Sequence, residues 1–581
     1  MKIVCLVKQV PRADAIEFNP ETKSLRREGV PLLLNPFDAA AVAHAVELKR
    51  QGPDGEVIAM TMGPPQAAAA LKECLALGAD RCIHLSDRAF AVADTLGTSR
   101  TLALAIAKEG GVDLVLCGRK TVDSETWQVP PETAAFLGWP HVTSVADVGV
   151  SAGRIRATRE TEHGLDTYEL TGPALLSLAH ARAADGERDG TIDVWAATDL
   201  VDDLHENDKR FGQTGSPTRV LAVRDVTPER AGDVFESVDE ASTRVRELLA
   251  ERPAEPSAWD KPERLAEIPG KAYDCWTLVE HRDGRPARVS LELLGKGREL
   301  AGKLGGENVA LVLGSELDEI AREVARHGAA RVVAAEDVAL VDRHPEAWSH
   351  ALRSIVEEAK PHVLLIPATT LGRDVGARVA GELELGMTGD CVGLGIDRGG
   401  RLIQTKPAYG GNIVSVIMGS TTPQLATVRP RMFEPLERRD VTAPVERFEL
   451  RALPVPRTLL VEHRALPAWD LDEADVVVCV GPEVRELPEL REGIALGGTR
   501  DACEQRVLPR NRQLGLLGRA VAPRLLIAIE VPGDFEELTA FVKADVIAAI
   551  NSNADAPMVR AADVGLLGDW RDLLPALLEL R

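Results

Sequence analysis

At 581 residues the chain predicts roughly three to four domains, and with 45% hydrophobic but only 4% aromatic residues its cores must be aliphatic. A formal net charge of −22 excludes a nucleic-acid binder or a binder of anionic membranes, whose affinities rest on neutralising phosphate. No run approaches the roughly 20 apolar residues that span a bilayer. The eight cysteines show no CxxC spacing, which leaves zinc and iron–sulfur ligation without support and points to buried free thiols in a reducing cytoplasm.

The opening MKIVCLVKQV reads as a first β-strand and not as a signal peptide. Further strands are predicted at Glu56–Met62, Arg81–Leu85 and Asp113–Leu116, with helices between them at Asp38–Arg50, Pro65–Leu77 and Thr95–Glu109. Alternation at this spacing implies βαβ units and a parallel sheet covered on both faces. Cys117–Thr143 follows as a polar loop and a helix from about Gln128. A strand tip, a small-residue loop and a helix start make a concave place for a nucleotide, because free backbone N–H groups face the ligand. Asp123 and Glu125 in this loop suit either ribose hydroxyls or local capping, and His141, alone after Pro140, reads as structural. Arg154–Arg159 and Thr167–Leu170 look like a hairpin, and Ala174–Ala179 like another strand.

The order then recurs. Gly328–Arg331 lies 250 residues beyond Gly78–Arg81, His362–Ile366 lies 250 beyond Val112–Leu116, and Thr421–Pro423 lies 250 beyond Thr171–Pro173. So constant an offset predicts a duplicated α/β domain paired about a pseudo-twofold axis. In the second copy, predicted strands Trp276–Val279, Val309–Leu313 and Val332–Ala335 alternate with helices Leu291–Lys303 and Glu316–Arg326. Its version of the focal loop starts at Pro367 and offers Thr369, Thr370 and Arg373 where the first offers carboxylates. Gly297–Lys303 imitates a P-loop, but Leu304 replaces the magnesium-binding hydroxyl and the segment lies inside a helical pattern. Between the copies, Val201–Lys271 is charged and punctuated by proline, with one exposed helix expected at Phe235–Ala250. A third unit from about Pro456 has predicted strands Asp475–Val480, Arg524–Ile529 and Val546–Ile550, and helices Leu487–Leu496, Phe535–Val542 and Trp570–Leu580.

At these residues the chain resembles a known family. KIVCLVKQVPR, NPFDAAAVAHAVELK at Asn35–Lys49, ALGADR at Ala76–Arg81, the focal CGRKTVDSETWQVPPETAAFLGWPHVT and RFGQTGSPTRV at Arg210–Val220 resemble the β subunit of electron transfer flavoprotein. PATTLGRDVGARVAGELELGMTGDC, QTKPAYGGNIVSVI at Gln404–Ile417, PQLATVRPRMF at Pro423–Phe433 and AINSNADAPMVRAADVGLLGD at Ala549–Asp569 resemble its α subunit. The resemblance covers nearly the whole chain and implies a β–α fusion. Its units would be a β-like nucleotide domain over 1–227, a linker over 228–271, an α-like domain over 272–455 and a flavin domain over 456–581. The expected fold is two pseudo-twofold-related parallel-sheet domains of the adenine nucleotide alpha hydrolase-like kind, plus a smaller flavodoxin/Rossmann-like α/β domain.

The resemblance implies an electron carrier rather than a substrate-turning enzyme, passing electrons from a flavin dehydrogenase to a membrane or soluble acceptor. AMP or a second FAD would sit in the β half, on Lys8, Val10, Asn35, Asp38, Gly63, Val122, Asp123, Thr126, Gln128 and Val129, with Arg373 offered by the α-like half. FAD in the third unit would use Arg500, Gly515, Gly518, Asn551 and Asp569. That site departs from the family pattern: Leu516-Leu517-Gly518 lacks a hydroxyl, Gly481-Pro482-Glu483 lacks a cation, and Pro532–Glu537 places three carboxylates where a diphosphate belongs. The alternative is therefore a nucleotide-binding relative that has lost its redox flavin and serves a structural or regulatory role. A dehydrogenase-docking loop is expected to be lost as well, because Ala181–Trp195 is short and mixed in charge. A nucleotide-using enzyme ranks lowest, since no nucleophile or general base stands out.

Overall fold

The computed structural model describes residues 1–19, 24–26, 29–50, 55–151, 153–226, 229–251, 257–265, 267, 273–411, 413–466 and 471–580. The chain divides into two compact units. The first comprises Met1–Val223, Pro256–Lys406 and Ser415–Ala465, and the second comprises Arg224–Glu255, Pro407–Val414 and Leu466–Arg581.

The first unit contains both copies. In copy one, β1 (Lys2–Leu6), α1 (Pro36–Arg50), β2 (Glu56–Met62), α2 (Ala68–Leu77), β3 (Arg81–Leu85), α3 (Thr95–Glu109), β4 (Leu114–Gly118) and α4 (Val129–Leu137) alternate as the apolar runs foretold. β5 (His141–Ser151), β6 (Arg154–Thr161), β7 (Gly164–Leu170), β8 (Ala174–Leu178) and β9 (Ile192–Trp195) complete it. The sheet order is β9-β3-β2-β1-β4-β8-β5, all parallel, extended by antiparallel β6 and β7. Strands such as β4 and β8 are buried along their whole length, as a sheet covered on both faces requires.

The segment between the copies is not the exposed helix that its charge suggests. Asp233–Phe235 is a strand, β10, and Val238–Glu251 is a helix, α5, whose Ala241, Val245 and Leu248 are buried in the core of the second unit. The polar composition misleads because only one stripe of the helix has to be apolar to dock.

Copy two runs through β11 (Tyr273–Val279), α6 (Arg288–Leu304), β12 (Gly305–Gly314), α7 (Asp318–Arg326), β13 (Arg331–Glu336), α8 (Pro345–Ala359), β14 (Val363–Pro367) and α9 (Thr370–Glu382). β15 (Met387–Cys391), β16 (Gln424–Val428) and β17 (Val445–Arg447) follow. Its sheet order, β17-β13-β12-β11-β14-β16-β15, reproduces that of copy one strand for strand. α8 and β16 each begin and end 250 residues after α3 and β8. The P-loop-like segment is the C-terminal half of α6, and a Cβ on Gly297 would lie 2.6 Å from Asn308 Oδ1, so that glycine serves helix–sheet packing. Finally β18 (Thr458–Ala465) pairs antiparallel with β7, adding a strand from late in the chain to the sheet of copy one.

In the second unit, β19 (Val476–Val480), β20 (Ile494–Gly498), α10 (Arg500–Glu504), β21 (Leu525–Ile529), α11 (Phe535–Phe541), β22 (Val546–Asn551), β23 (Val564–Leu567) and α12 (Trp570–Leu577) form a parallel sheet of order β10-β23-β22-β21-β19-β20. The helix expected at Leu487–Leu496 does not form. Pro488 sits within that run, Gly493 turns at φ +86°, and Ile494–Gly498 becomes a strand beside β19. All eight cysteines are free and buried. Among the described residues no helix is long and apolar enough to cross a membrane.

Candidate functional site

An open parallel sheet binds ligands beyond the carboxyl ends of its strands, where the strand order reverses. In copy one that point lies between β1 and β4, and five of the expected residues meet there. Asp38 accepts from the amides of Lys8 and Gly118, both at 2.9 Å, which ties the loop after β1 to the end of β4. Asn35 donates to Lys120 O at 3.0 Å and accepts from Val122 N at 3.3 Å. Lys8 reaches Asp123 at 2.7 Å, and Thr121 donates to the same carboxylate at 2.6 Å. Burial pushes the Asp38 carboxyl up to about 7 against those two amide bonds, whereas the charge of Lys8 holds Asp123 below the ordinary range despite its burial.

The other expected residues serve neighbouring parts of this half. Val10 is buried and pairs with Leu33. Gly63 donates its amide to Leu85 O, and its carbonyl meets His84 Nε2 at 3.0 Å. Val129 opens α4, with Gln128 as its N-cap. Gln128 turns away from the crevice to copy two, donating to Met387 O at 2.9 Å and accepting from Gly389 N at 3.2 Å.

The focal loop is strained and is held from the other copy. Glu125 and Trp127 have φ of +46° and +62°, unusual for residues with side chains, and such positions cost of order 1–3 kcal/mol each. Lys406 donates to Glu125 O at 2.9 Å, and Arg429 bridges the Glu125 carboxylate (3.3 Å) and Asp390 (3.1 Å). Arg373 pairs with Asp390 through two nitrogens and places its guanidinium 4.3 Å from the centroid of the Trp127 ring. Gly389 is needed because a Cβ there would lie 2.5 Å from Thr126 O. Burial lowers Lys406 to about 8, while Arg373 and Arg429 keep buried Asp390 ionised. Arg373, expected in the loop of copy two, thus belongs to the loop of copy one. Lys406, Arg429 and Asp390 carry no recognisable signal in the sequence beyond lying in or beside long matching stretches. His141 is structural, accepting from Arg378 at 3.1 Å, with burial holding it neutral.

The reversal point of copy two, between β11 and β14, is occupied by side chains of both copies. Thr369 donates to Glu280 at 2.5 Å, and both the amide and hydroxyl of Thr370 donate to Glu162 at 2.8 Å.

In the second unit the reversal lies between β19 and β21. Glu537 accepts from the amides of Gly533 (2.6 Å) and Asp534 (3.2 Å), and Asp534 accepts from Glu537 N at 3.2 Å. Glu536 Oε2 stands 3.9 Å from Arg500, and its Oε1 is buried with no hydrogen-bond partner among the described residues. Burial raises both glutamates to about 7. Arg500 also pairs with Glu504 at 2.9 Å. Gly515 and Gly518 serve their own turn: a Cβ on Gly518 would lie 2.3 Å from Gln513 O. Asn551 donates to Val531 O at 3.1 Å, tying the end of β22 to the loop after its neighbour β21, and Asp569 caps α12.

Residues 22–200 and 275–453 match the electron transfer flavoprotein domain, and residues 470–541 match the electron transfer flavoprotein FAD-binding domain. The chain is 38% identical over 319 residues to the electron transfer flavoprotein subunit alpha of Clostridium acetobutylicum, spanning 52% of this chain and 95% of that protein. It is 37% identical over 259 residues to the electron transfer flavoprotein subunit beta of Thermoanaerobacterium thermosaccharolyticum, spanning 43% of this chain and 99% of that protein. It is 46% identical over 177 residues to the caffeyl-CoA reductase-Etf complex subunit CarD of Acetobacterium woodii, spanning 30% of this chain and 68% of that protein.

Proposed function

The chain belongs to the electron transfer flavoprotein family, with counterparts of the two subunits joined in one polypeptide, and from that premise we propose that it carries electrons from a flavin dehydrogenase to a further redox acceptor. The observation that carries the reading is that the matched FAD-binding region, 470–541, encloses both loops of the strand-order reversal in the second unit. FAD, when bound there, supplies reversible acceptance of electrons. Arg500 is the cation that would face its diphosphate, while the Gly533 and Asp534 amides are already taken by Glu537. At the first copy's reversal point we assign AMP or a second FAD, with Lys8, Asn35, Asp38, Val122 and Asp123 around it and Arg373 bracing the loop. A dehydrogenase donor agrees with the naming of relatives after a caffeyl-CoA reductase complex and a lactate dehydrogenase.

The visible spectrum of the purified protein tests this. A yellow protein with about one or two flavins per chain, bleached by a dehydrogenase and its substrate, is expected. A colourless preparation that retains AMP and refuses FAD at every pH would overturn it and favour the relative without a redox flavin, a reading that the Glu537 bonds already give some ground.

A further inference from the structure

Where the focal loop of copy one meets copy two, positive charge exceeds negative. Lys120, Arg373, Lys406 and Arg429 converge there on two carboxylates, Glu125 and Asp390. Lys120, Glu125, Asp390 and Lys406 are each at least nine-tenths buried, and all of these residues lie in the first unit. Hydrogen bonding is as uneven as charge. Asp390 is filled, accepting from two nitrogens of Arg373 and from Arg429. Lys120 donates once, to Glu125 Oε2 at 3.0 Å, and Lys406 donates once, to Glu125 O at 2.9 Å. An ammonium has three donors, so two N–H groups on each buried lysine lack a partner among the described residues. The Trp127 indole N–H is buried without a partner as well, its ring centroid 5.8 Å from Lys120 Nζ and 4.3 Å from the Arg373 guanidinium.

Water would fill those donors but would leave the charge uncompensated. Four cations against two carboxylates, with Arg119 left aside, make a buried excess of two, which is strongly unfavourable unless an anion accompanies it. We propose that the seam between the two copies binds a phosphate group, held by the Lys120 and Lys406 ammoniums and the Trp127 indole N–H. Its oxygens are the acceptors those donors lack, and its two negative charges match the excess. Lysine suits the task because an ammonium binds phosphate as a point charge from any side, whereas Arg373 and Arg429 are already fixed by Asp390. The group has two sources. It is the terminal phosphate of the nucleotide assigned to the neighbouring crevice, in which case the inference rests on that assignment, or it is inorganic phosphate.

Burial lowers Lys406 to about 8, and the ammonium is faced by Asp390 and Cys391 of β15, by Glu125 of the focal loop and by Arg429 after β16. A dianion beside it favours the protonated form. Anion binding at pH 8 should therefore take up about half a proton, and binding at pH 6 almost none.

Calorimetry on the full chain, stripped of nucleotide in phosphate-free buffer, tests the proposal with inorganic phosphate, AMP and adenosine as probes. If the nucleotide is the source, AMP should bind at least tenfold more tightly than adenosine and inorganic phosphate should compete with AMP alone. If inorganic phosphate is the source, it should bind together with adenosine, and AMP should gain nothing over adenosine. In either case Lys406→Met and Lys120→Met should each weaken the phosphate-bearing probe about ten- to one-hundredfold, the loss of one charge-assisted hydrogen bond, and leave adenosine unchanged. Sulfate, which does not titrate in this range, reads the proton uptake on the parent chain without any variant. Silence toward phosphate with equal affinities for AMP and adenosine, undiminished phosphate or AMP binding in both lysine variants, or sulfate binding at pH 8 without proton uptake would overturn the proposal. None of these outcomes involves a flavin, so the carrier reading stands or falls separately, on the visible spectrum.

Discussion

Arg373 lies over Trp127, its guanidinium 4.3 Å from the indole centroid, although the two residues belong to different copies of the repeat. The stacking joins the loop of one copy to the first turn of α9 in the other, and Asp390 fixes the guanidinium from behind. Arg373→Met should therefore destabilise the first unit by about 1–3 kcal/mol, because it removes a cation–π contact and a bidentate ion pair together. Urea unfolding measures the loss. The emission of Trp127, isolated by subtracting a Trp127→Phe variant, should shift to the red as the ring is uncovered.

A deeper joint lies nearby. Arg159 reaches Asp374 at 2.8 Å and Thr143 donates to the same carboxylate at 2.5 Å, with both charged side chains almost fully buried. Asp374→Ala leaves the guanidinium buried without its counter-charge, at an expected cost of about 3–5 kcal/mol. A double-mutant cycle with Arg159→Met should recover most of that loss. Additive effects would show that the pair is not coupled.

The α5 helix offers a test of where the connecting segment belongs. Leu248 is 3% exposed within the core of the second unit. Leu248→Ala should lower that unit's stability by about 2–4 kcal/mol through the cavity left behind. Hydrogen exchange should speed up in β22 and β23 while β1 and β4 keep their protection.

At the first copy's crevice, Asp123→Arg replaces the partner of Lys8 with a like charge, so the loop must move off the end of β4. AMP affinity measured by calorimetry should fall at least tenfold. Unchanged nucleotide content by mass spectrometry would argue that the ligand does not depend on this loop.

The second unit's stability should depend on pH. Glu536 and Glu537 titrate at about 7 in the folded state against 4.5 in an unfolded chain. Between those values the folded state holds protons that the unfolded state has released, so stability falls as pH rises through that window. The melting transition of this unit should be highest near pH 5 and several degrees lower at pH 8. Replacing both glutamates with glutamine should flatten the trend.

Much of this architecture is legible in the residues. The 250-residue offset announces the duplication because each βαβ unit repeats its apolar runs at fixed spacing, and Val115 or Leu364 could hardly lie anywhere but in a buried strand. Ile494–Gly498 is not legible: IALGG has one β-branched residue, and only pairing with β19 makes it a strand. α5 is misread for a related reason, since a helix that buries one narrow stripe looks like a solvated one. At the site, the grouping of Lys8, Asn35, Asp38 and Asp123 is implied by the resemblance to the family and not by any local pattern, whereas the contribution of Arg373, Lys406 and Arg429 depends on how two copies meet. Side chains that act across such a seam leave no local period to read.

The placement of β10 and α5 bears on why the two halves need not be one polypeptide. Arg224–Glu255 precedes the second copy in the chain, yet its strand hydrogen-bonds to Val564–Leu566 and its helix fills the far unit's core. A gene cut at codon 256 would yield two products, the first ending in a strand and helix that the second lacks. Co-expressed, they should reassemble by strand complementation, while the later product alone should exchange protons rapidly along the exposed edge of β23. The covalent join then governs how the halves find each other and in what ratio they are made, more than whether they fit.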